Sequence, residues 1–396
     1  MHLPVRYMIE GDKMMRAASN DNVRIFQQRT VDETWRKGVA PTPQEDTPDG
    51  HWLAASSEQN VAECSAVAYS FAVSLFAALN TNGHAVPVGV MNTAVGATGI
   101  LSWMSREAME SDAELRAKFP ASWNTGDWKD YHQPWSQPTA LFNHKIAPLA
   151  NHAVRGFLWY QGEADGSLGE AGAGFYRKAL TTLIDDWRRH WGGKPRPFIL
   201  SQLHAYDKDG KMPADQLDSW AYLREAQFDA AQARMPAAAI PNYDLALTWN
   251  VGGFAYKSPI HPLDKKPLGE RMTLAARALT YGEHVSFQGP VFDHLSWNSN
   301  RLVIHFRHDE GLNSEGGQLA GFAICGPDRR FVKAEAKIVA GTVEVTSPEV
   351  TQPVAVTYAF TSQNHCANLY NRQKLPAVPF RSDRIKSEFL KYCPCR

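Results

Sequence analysis

Short, uninterrupted apolar runs recur along the first two thirds of the chain, each ending in polar or glycine residues. They fall at 23–26, 86–91, 156–160 and 198–200, with a weaker one at 238–240 that continues toward Asp244. A strand covered on both faces needs continuous rather than alternating apolarity, so these runs predict buried strands. Between them the period changes. Residues 65–79 are apolar nearly all round, as a buried helix is. Over 175–191, Phe175, Leu180, Leu183, Ile184, Trp187 and Trp191 fall on one stripe among charges; Leu268, Met272, Ala275 and Leu279 do the same after His261. Strand and helix alternate from about residue 20 to 280, which predicts an α/β unit with a mostly parallel sheet and helices on both faces.

The pattern changes again near Gly289-Pro290. Beyond it come alternating segments at 302–306, 341–345 and 354–358, separated by Gly, Asn and Asp, which predict a small antiparallel β module. The expected organisation is an α/β domain over 1–285, a β module over 286–385 and a tail over 386–396. Polar, proline-rich stretches at 38–50 and 120–138 read as surface loops, and no internal repeat is present.

Composition narrows the function classes. With 396 residues, 44% hydrophobic and 21% charged, the chain has ample material for a large core. Lys+Arg and Asp+Glu both number 41, so a neutral chain gains little from phosphate backbones or anionic lipid. Neither a nucleic-acid nor a membrane partner is expected, and oligomeric state is left open. The five cysteines, Cys64, Cys325, Cys366, Cys393 and Cys395, are scattered and lack metal-ligand spacing, so neither a metal nor an organic cofactor is expected. Cys393 and Cys395 read as part of a frayed tail. Twelve tryptophans suit stacking on sugar rings, and suit an aromatic core equally well. The start of the chain has no positive segment, apolar core or small-residue cleavage site of a secretory signal.

Three segments carry candidate chemistry. In Trp159-Tyr160-Gln161-Gly162-Glu163-Ala164-Asp165, an apolar strand runs into Gln161, Glu163 and Asp165 at alternating positions. In an extended chain these three point the same way, toward the carboxyl end of a central strand, where open α/β sheets place ligands. A solvated strand end followed by a turn reads the same. His261, fixed by Pro262 in a loop ahead of an amphipathic helix, stands out among 14 histidines. Asn92 to Thr98 is another strand end, in which Gly96 leaves a backbone N–H open as an oxyanion donor requires, or simply makes a turn.

Together these segments resemble the bacterial sialate O-acetylesterase family, within the SGNH-hydrolase fold and near the acetylxylan esterases. The likeness runs through Pro87-Val88-Gly89, Asn92, Gly96 to Trp103, Ala140-Leu141-Phe142-Asn143, Arg155-Gly156 to Glu163, Leu223-Arg224-Glu225-Ala226-Gln227 and His261-Pro262 with Lys265. It continues in Asn368-Leu369-Tyr370-Asn371 and in Pro379-Phe380-Arg381. The resemblance implies a three-layer α/β/α fold and hydrolysis of acetyl esters on sugars, sialic acid or hemicellulose, through a serine acyl-enzyme. It implies His261 as base, Glu163 as its acidic partner with Asp165 as the weaker candidate, and Gly96 and Gln161 as oxyanion donors. It also implies Asn92 and Trp103 at the substrate side and a periplasmic or extracellular location.

The sequence departs from the family in three places. The family's serine lies in a Gly-Gln-Ser-Asn-Met motif after the first sheet strand, and Met1 with Leu3-Pro4-Val5 resembles the residues just beyond that serine. The expectation is that strand and serine precede Met1, leaving residues 1–396 by themselves weakly active or inactive. Ala97 stands where the family has a second glycine. Pro259 stands where it often has an aspartate, which shifts weight onto Glu163. The alternative is a non-catalytic binder of acetylated glycans, with a degenerate cleft lined by Trp103 and Trp159.

Overall fold

The protein is described by a computed structural model over residues 3–28, 42–47, 50–81, 86–119, 134–166, 169–206, 219–243 and 260–383. The apolar runs form strands in two separate sheets. β1 (Asn20–Gln28) pairs antiparallel with β2 (Gly50–Ala55) and parallel with β3 (Val88–Asn92), in the order β2-β1-β3. β4 (Phe157–Trp159), β5 (Phe198–Ser201) and β6 (Ala237–Ile240) are all parallel, in that order. The run at 238–240 is thus a full strand that ends at Ile240 rather than continuing, and Asp244 lies outside the described residues. β2 was not legible, because its residues begin where a polar loop is expected.

Both sheets contribute to the same two apolar clusters. Phe26, Met91, Phe157, Trp159, Phe198, Leu200, Ala237 and Ala239 pack to one side, with α2 (Gly169–His190) and α3 (Ser219–Ala233). Val88, Val90, Leu158, Tyr160, Ile199, Ala238 and Ile240 pack to the other, with α1 (Ala66–Leu79) and α4 (Lys266–Tyr281). Alternate residues of both sheets thus share the same two apolar layers. Yet β3 and β4, the facing edges, share no ladder of hydrogen bonds among the described residues.

α1 begins at Ser65, whose hydroxyl accepts from Ala68 N and satisfies one of the free N–H groups of the first turn. Its burial on nearly every face suits a helix clamped between sheet and α4. α4 crosses it at Gly269, where a Cβ would stand 2.6 Å from Ser70 Cβ.

Residues 291–381 form an antiparallel sandwich. One sheet runs Glu335–Val339, Thr342–Thr346, Arg301–Arg307 and Val291–Asn298; the other runs Phe331–Lys333, Phe322–Cys325, Ala355–Tyr358 and Phe380–Arg381. Leu302, Ile304 and Val343 meet Phe322, Ile324 and Val356 between them, which is the burial their alternation predicts. The sandwich grips the α/β unit through polar groups. Arg381 forks onto Glu225 (3.0 and 2.8 Å) and reaches Glu170 (2.8 Å). Tyr358 and Tyr243 share a hydroxyl hydrogen bond of 3.1 Å. Ser362 takes Trp220 N on its hydroxyl and Tyr206 N on its carbonyl.

Cys64 and Cys325 are free and buried, whereas Cys366 is disulfide-bonded to a partner outside the described residues. Spacing alone does not disclose a bond between distant positions.

Candidate active site

β4 ends at Trp159 and the chain then turns rather than extending. Gly162 takes φ +144°, a conformation that favours glycine, and a Cβ there would stand 2.8 Å from Leu223 Cδ2. Asp165 N donates to Gly162 O at 3.0 Å and closes the turn. Gln161, Glu163 and Asp165 therefore do not line one side of an extended strand, as their spacing predicts. The turn instead folds Asp165 back onto Gln161.

That fold-back makes a clasp between the loops after β3 and β4. Gln161 Nε2 donates to Asp165 Oδ2 (2.6 Å) and to Thr98 O (2.9 Å), while Ile100 N donates to Asp165 Oδ2 (3.0 Å). Gln161 Oε1 accepts from Tyr176 Oη (3.0 Å), and its backbone carbonyl accepts from Gln227 Nε2 (2.9 Å). Both amide hydrogens of Gln161 are thus committed to holding the loop. Burial pushes the Asp165 carboxyl up to about 6, against the two hydrogen bonds that favour its ionised form.

Inside the clasped loop, Gly96 is exposed, with nothing within 4 Å of where a Cβ would stand. Ala97 follows at φ +56°, in the left-handed region where the expected family glycine is unstrained and alanine is not. Asn92 is buried, donating to Gln27 Oε1 (2.9 Å) and accepting weakly from Ala94 N (3.4 Å), so it fastens the ends of β1 and β3. Trp103 corrects an expectation. It is 5% exposed, its indole N–H donates to Thr98 Oγ1, and its ring meets Trp159 edge-on at 6.0 Å. Both tryptophans are core residues beneath the loop, and neither offers a face to a sugar.

On the other side, His261 is half-buried in the loop ahead of α4. Two residues on, Leu263 O accepts from Ile9 N (3.0 Å), which pins the loop to the start of the described chain. Burial, and then the charge of Lys265, push the imidazole down to about 4, so it is neutral and able to accept a proton at neutral pH. Lys265 is fully buried, with Nζ 3.2 Å from Tyr160 Oη. The charge of Glu163 acts on both Lys265 and Asp165. Glu163 Oε1 is buried and takes no hydrogen bond from a described residue, so it has capacity for another donor. Glutamate turn and glycine loop thus lie together at the carboxyl ends of β3 and β4, and Lys265, four residues after His261, reaches the residue that follows β4.

Sequence reasoning missed Thr98, Tyr176 and Gln227. Each acts by reaching a backbone or amide group of Gln161, and no local pattern marks such a role. Among the described residues no group of three or more His, Cys, Asp or Glu could hold a metal ion.

The class defined by this architecture is a mixed α/β protein with its polar groups gathered at the ends of parallel strands, the place where such folds bind ligands. Within that class the chain belongs to the carbohydrate esterase family of sialic acid-specific acetylesterases, whose profile matches residues 8–240. It is 27% identical over 316 residues to the sialate O-acetylesterase of Homo sapiens and to that of Pongo abelii, across 74% of this chain. The matches cover 57% of those proteins, so the chain spans little more than half the length of these relatives. It is also similar to a carbohydrate acetylesterase from Xanthomonas citri of known crystal structure, at 32% identity and a TM-score of 0.79. That match covers 97% of this chain and 78% of the other.

Proposed function

We propose that the chain is the catalytic unit of a carbohydrate O-acetylesterase of SGNH-hydrolase type, hydrolysing acetyl esters on sialic acid or hemicellulose sugars through a serine acyl-enzyme. The observation that carries this reading is the clasp that gathers the open Gly96 loop and the Gln161–Asp165 turn at neighbouring strand ends, in a chain of this family, with Lys265 linking the His261 loop to the same strand end. His261 takes the proton from the attacking hydroxyl and returns it to the departing sugar oxygen; Glu163 orients the imidazole and stabilises its cation. Gly96 N–H donates to the tetrahedral oxyanion. Gln161 and Asp165 act one step back, holding that loop in place, and Glu163 rather than Asp165 serves the imidazole.

A further strand between β3 and β4 would bring the attacking serine to this site. Three features support this. The two sheets share both apolar layers, their facing edges lack a common ladder, and the loops at those edges are clasped as if around one site. The disulfide at Cys366 supports a periplasmic or extracellular location, where such bonds persist. The 1–285 and 286–385 division follows the sandwich and the layered unit.

The test is expression of the chain together with any in-frame sequence encoded ahead of Met1. A Gly-Gln-Ser-Asn segment there, and acetate release from O-acetylated sugars, are expected. A protein with that segment that stays inert on every acetyl ester ends the proposal.

A further inference from the structure

Lys265 is an odd residue to find where it is. It is 0% exposed, and lysine is rarely buried without a specific reason. It also occupies the N-cap of α4, where the helix dipole is positive and the usual residue is a short acceptor. Nothing in the helix itself favours a cation there. What the position does offer is a place between the two halves of the site. Nζ donates to Tyr160 Oη at 3.2 Å and lies 4.7 Å from the centre of the Tyr160 ring. Tyr160 is the residue directly after β4 and three before Glu163. Its hydroxyl also meets His204 Nδ1, at 3.3 Å, beyond the end of β5. Four residues back along the chain from Lys265 stands His261.

We propose that Lys265 is a positioning residue for the esterase site: seated on Tyr160, its amine ties the strand end bearing Glu163 to the loop bearing His261 and, when protonated, presents a positive charge to the imidazole. This rests on the proposed roles of His261 and Glu163. The consequence is electrostatic as well as geometric. Burial lowers the ammonium to about 7, against the carboxylates of Glu163 and Asp264, which favour it. In mildly acidic surroundings Lys265 is therefore charged, and its charge disfavours a second one on the ring, so the imidazole stays a base there. Among the described residues, Asp165, Tyr160 and His204 are further titratable groups at this corner. Asp165 is committed to the β3 loop, and burial and the Glu163 charge keep the Tyr160 phenol protonated.

The test is an NMR titration of the His261 imidazole in this chain, with its signal assigned by His261→Gln. It needs neither substrate nor nucleophile. In Lys265→Met the midpoint is expected to rise by about one pH unit, a tenfold gain in proton affinity, while Lys265→Arg stays close to the parent. A role confined to packing predicts no such split between the two variants. A folded Lys265→Met protein with an unmoved midpoint overturns the proposal. If Lys265→Met does not fold, Tyr160→Phe carries the test, since it removes the hydroxyl that anchors the ammonium. A shift there supports the proposal, and an unmoved midpoint overturns it. A shifted titration in a protein inert on acetyl esters would instead count against the esterase reading alone.

Discussion

Asp165 shows how far a residue's chemistry depends on one turn. Its ordinary carboxyl value of 3.8 is raised to about 6 by burial in the folded protein, so the native state binds that proton more tightly than the unfolded chain does. Its contribution to stability is therefore full below about pH 4 and is lost as pH rises through 6. Asp165→Asn keeps an acceptor for Ile100 N and Gln161 Nε2 but removes the titration. The stability of the variant relative to the parent is expected to climb between pH 4 and 6 and then level off, as read by urea unfolding at several pH values. His261 runs the other way: with its value lowered to about 4, it withdraws stability as pH falls from 6.5. The difference between the two proteins isolates the carboxyl. Gln161, Glu163 and His261 were legible as polar residues at strand ends and in a proline-fixed loop. The clasp was not, because alternation assumes an extended chain and Gly162 breaks it. Trp103 departs from what the resemblance implies, because a matching position in sequence does not say whether its ring is buried.

At the scale of elements, continuous apolar runs disclosed β1, β3, β4, β5 and β6, because strands covered on both faces tolerate little else. α1, α2 and α4 were legible from their periods. α3 was not, since its buried side includes Arg224 and Gln227. Arg224 caps the carbonyls of His204 and Thr361, and Gln227 holds Leu203 N and Gln161 O, so polar residues face the core with their partners in distant segments. α4 sets the position of the histidine loop and rests against α1 through Gly269. Gly269→Ala would drive a methyl group into Ser70 Cβ and Phe71 N, at 2.6 and 2.7 Å. A loss of about 2 kcal/mol is expected from such overpacking, measured by chemical denaturation. With it should come weaker binding in any assay that reads the His261 loop.

Over the whole molecule, the sandwich was legible in its strands and invisible in its docking. The alternating segments announce two-sided strands, but no pattern marks the fully buried Thr361, Ser362 and Asn364. Ser362 meets the backbone of the α/β unit, the Thr361 carbonyl accepts from the Arg224 guanidinium, and Asn364 donates to Ala359 O within the sandwich. Arg381 is the strongest joint, with a guanidinium 5% exposed between Glu225 and Glu170. Glu225→Ala leaves that cation with half its partners and is expected to cost about 3 kcal/mol, seen as a lower urea midpoint. The divided sheet is the other feature of this scale. Alternation of strand and helix predicts parallel strands without saying which ones pair, so the break between β3 and β4 emerges only in three dimensions. It is also what gives the proposed serine strand a place.

The most direct check of the site is the rate of acetate release from an O-acetylated sugar by the strand-completed protein, compared with its His261→Ala variant. Loss of the imidazole should lower kcat by roughly three orders of magnitude or more, with the fold intact by circular dichroism. Undiminished turnover in the variant would mean that the base lies elsewhere and that this corner of the molecule is not where the ester is cleaved.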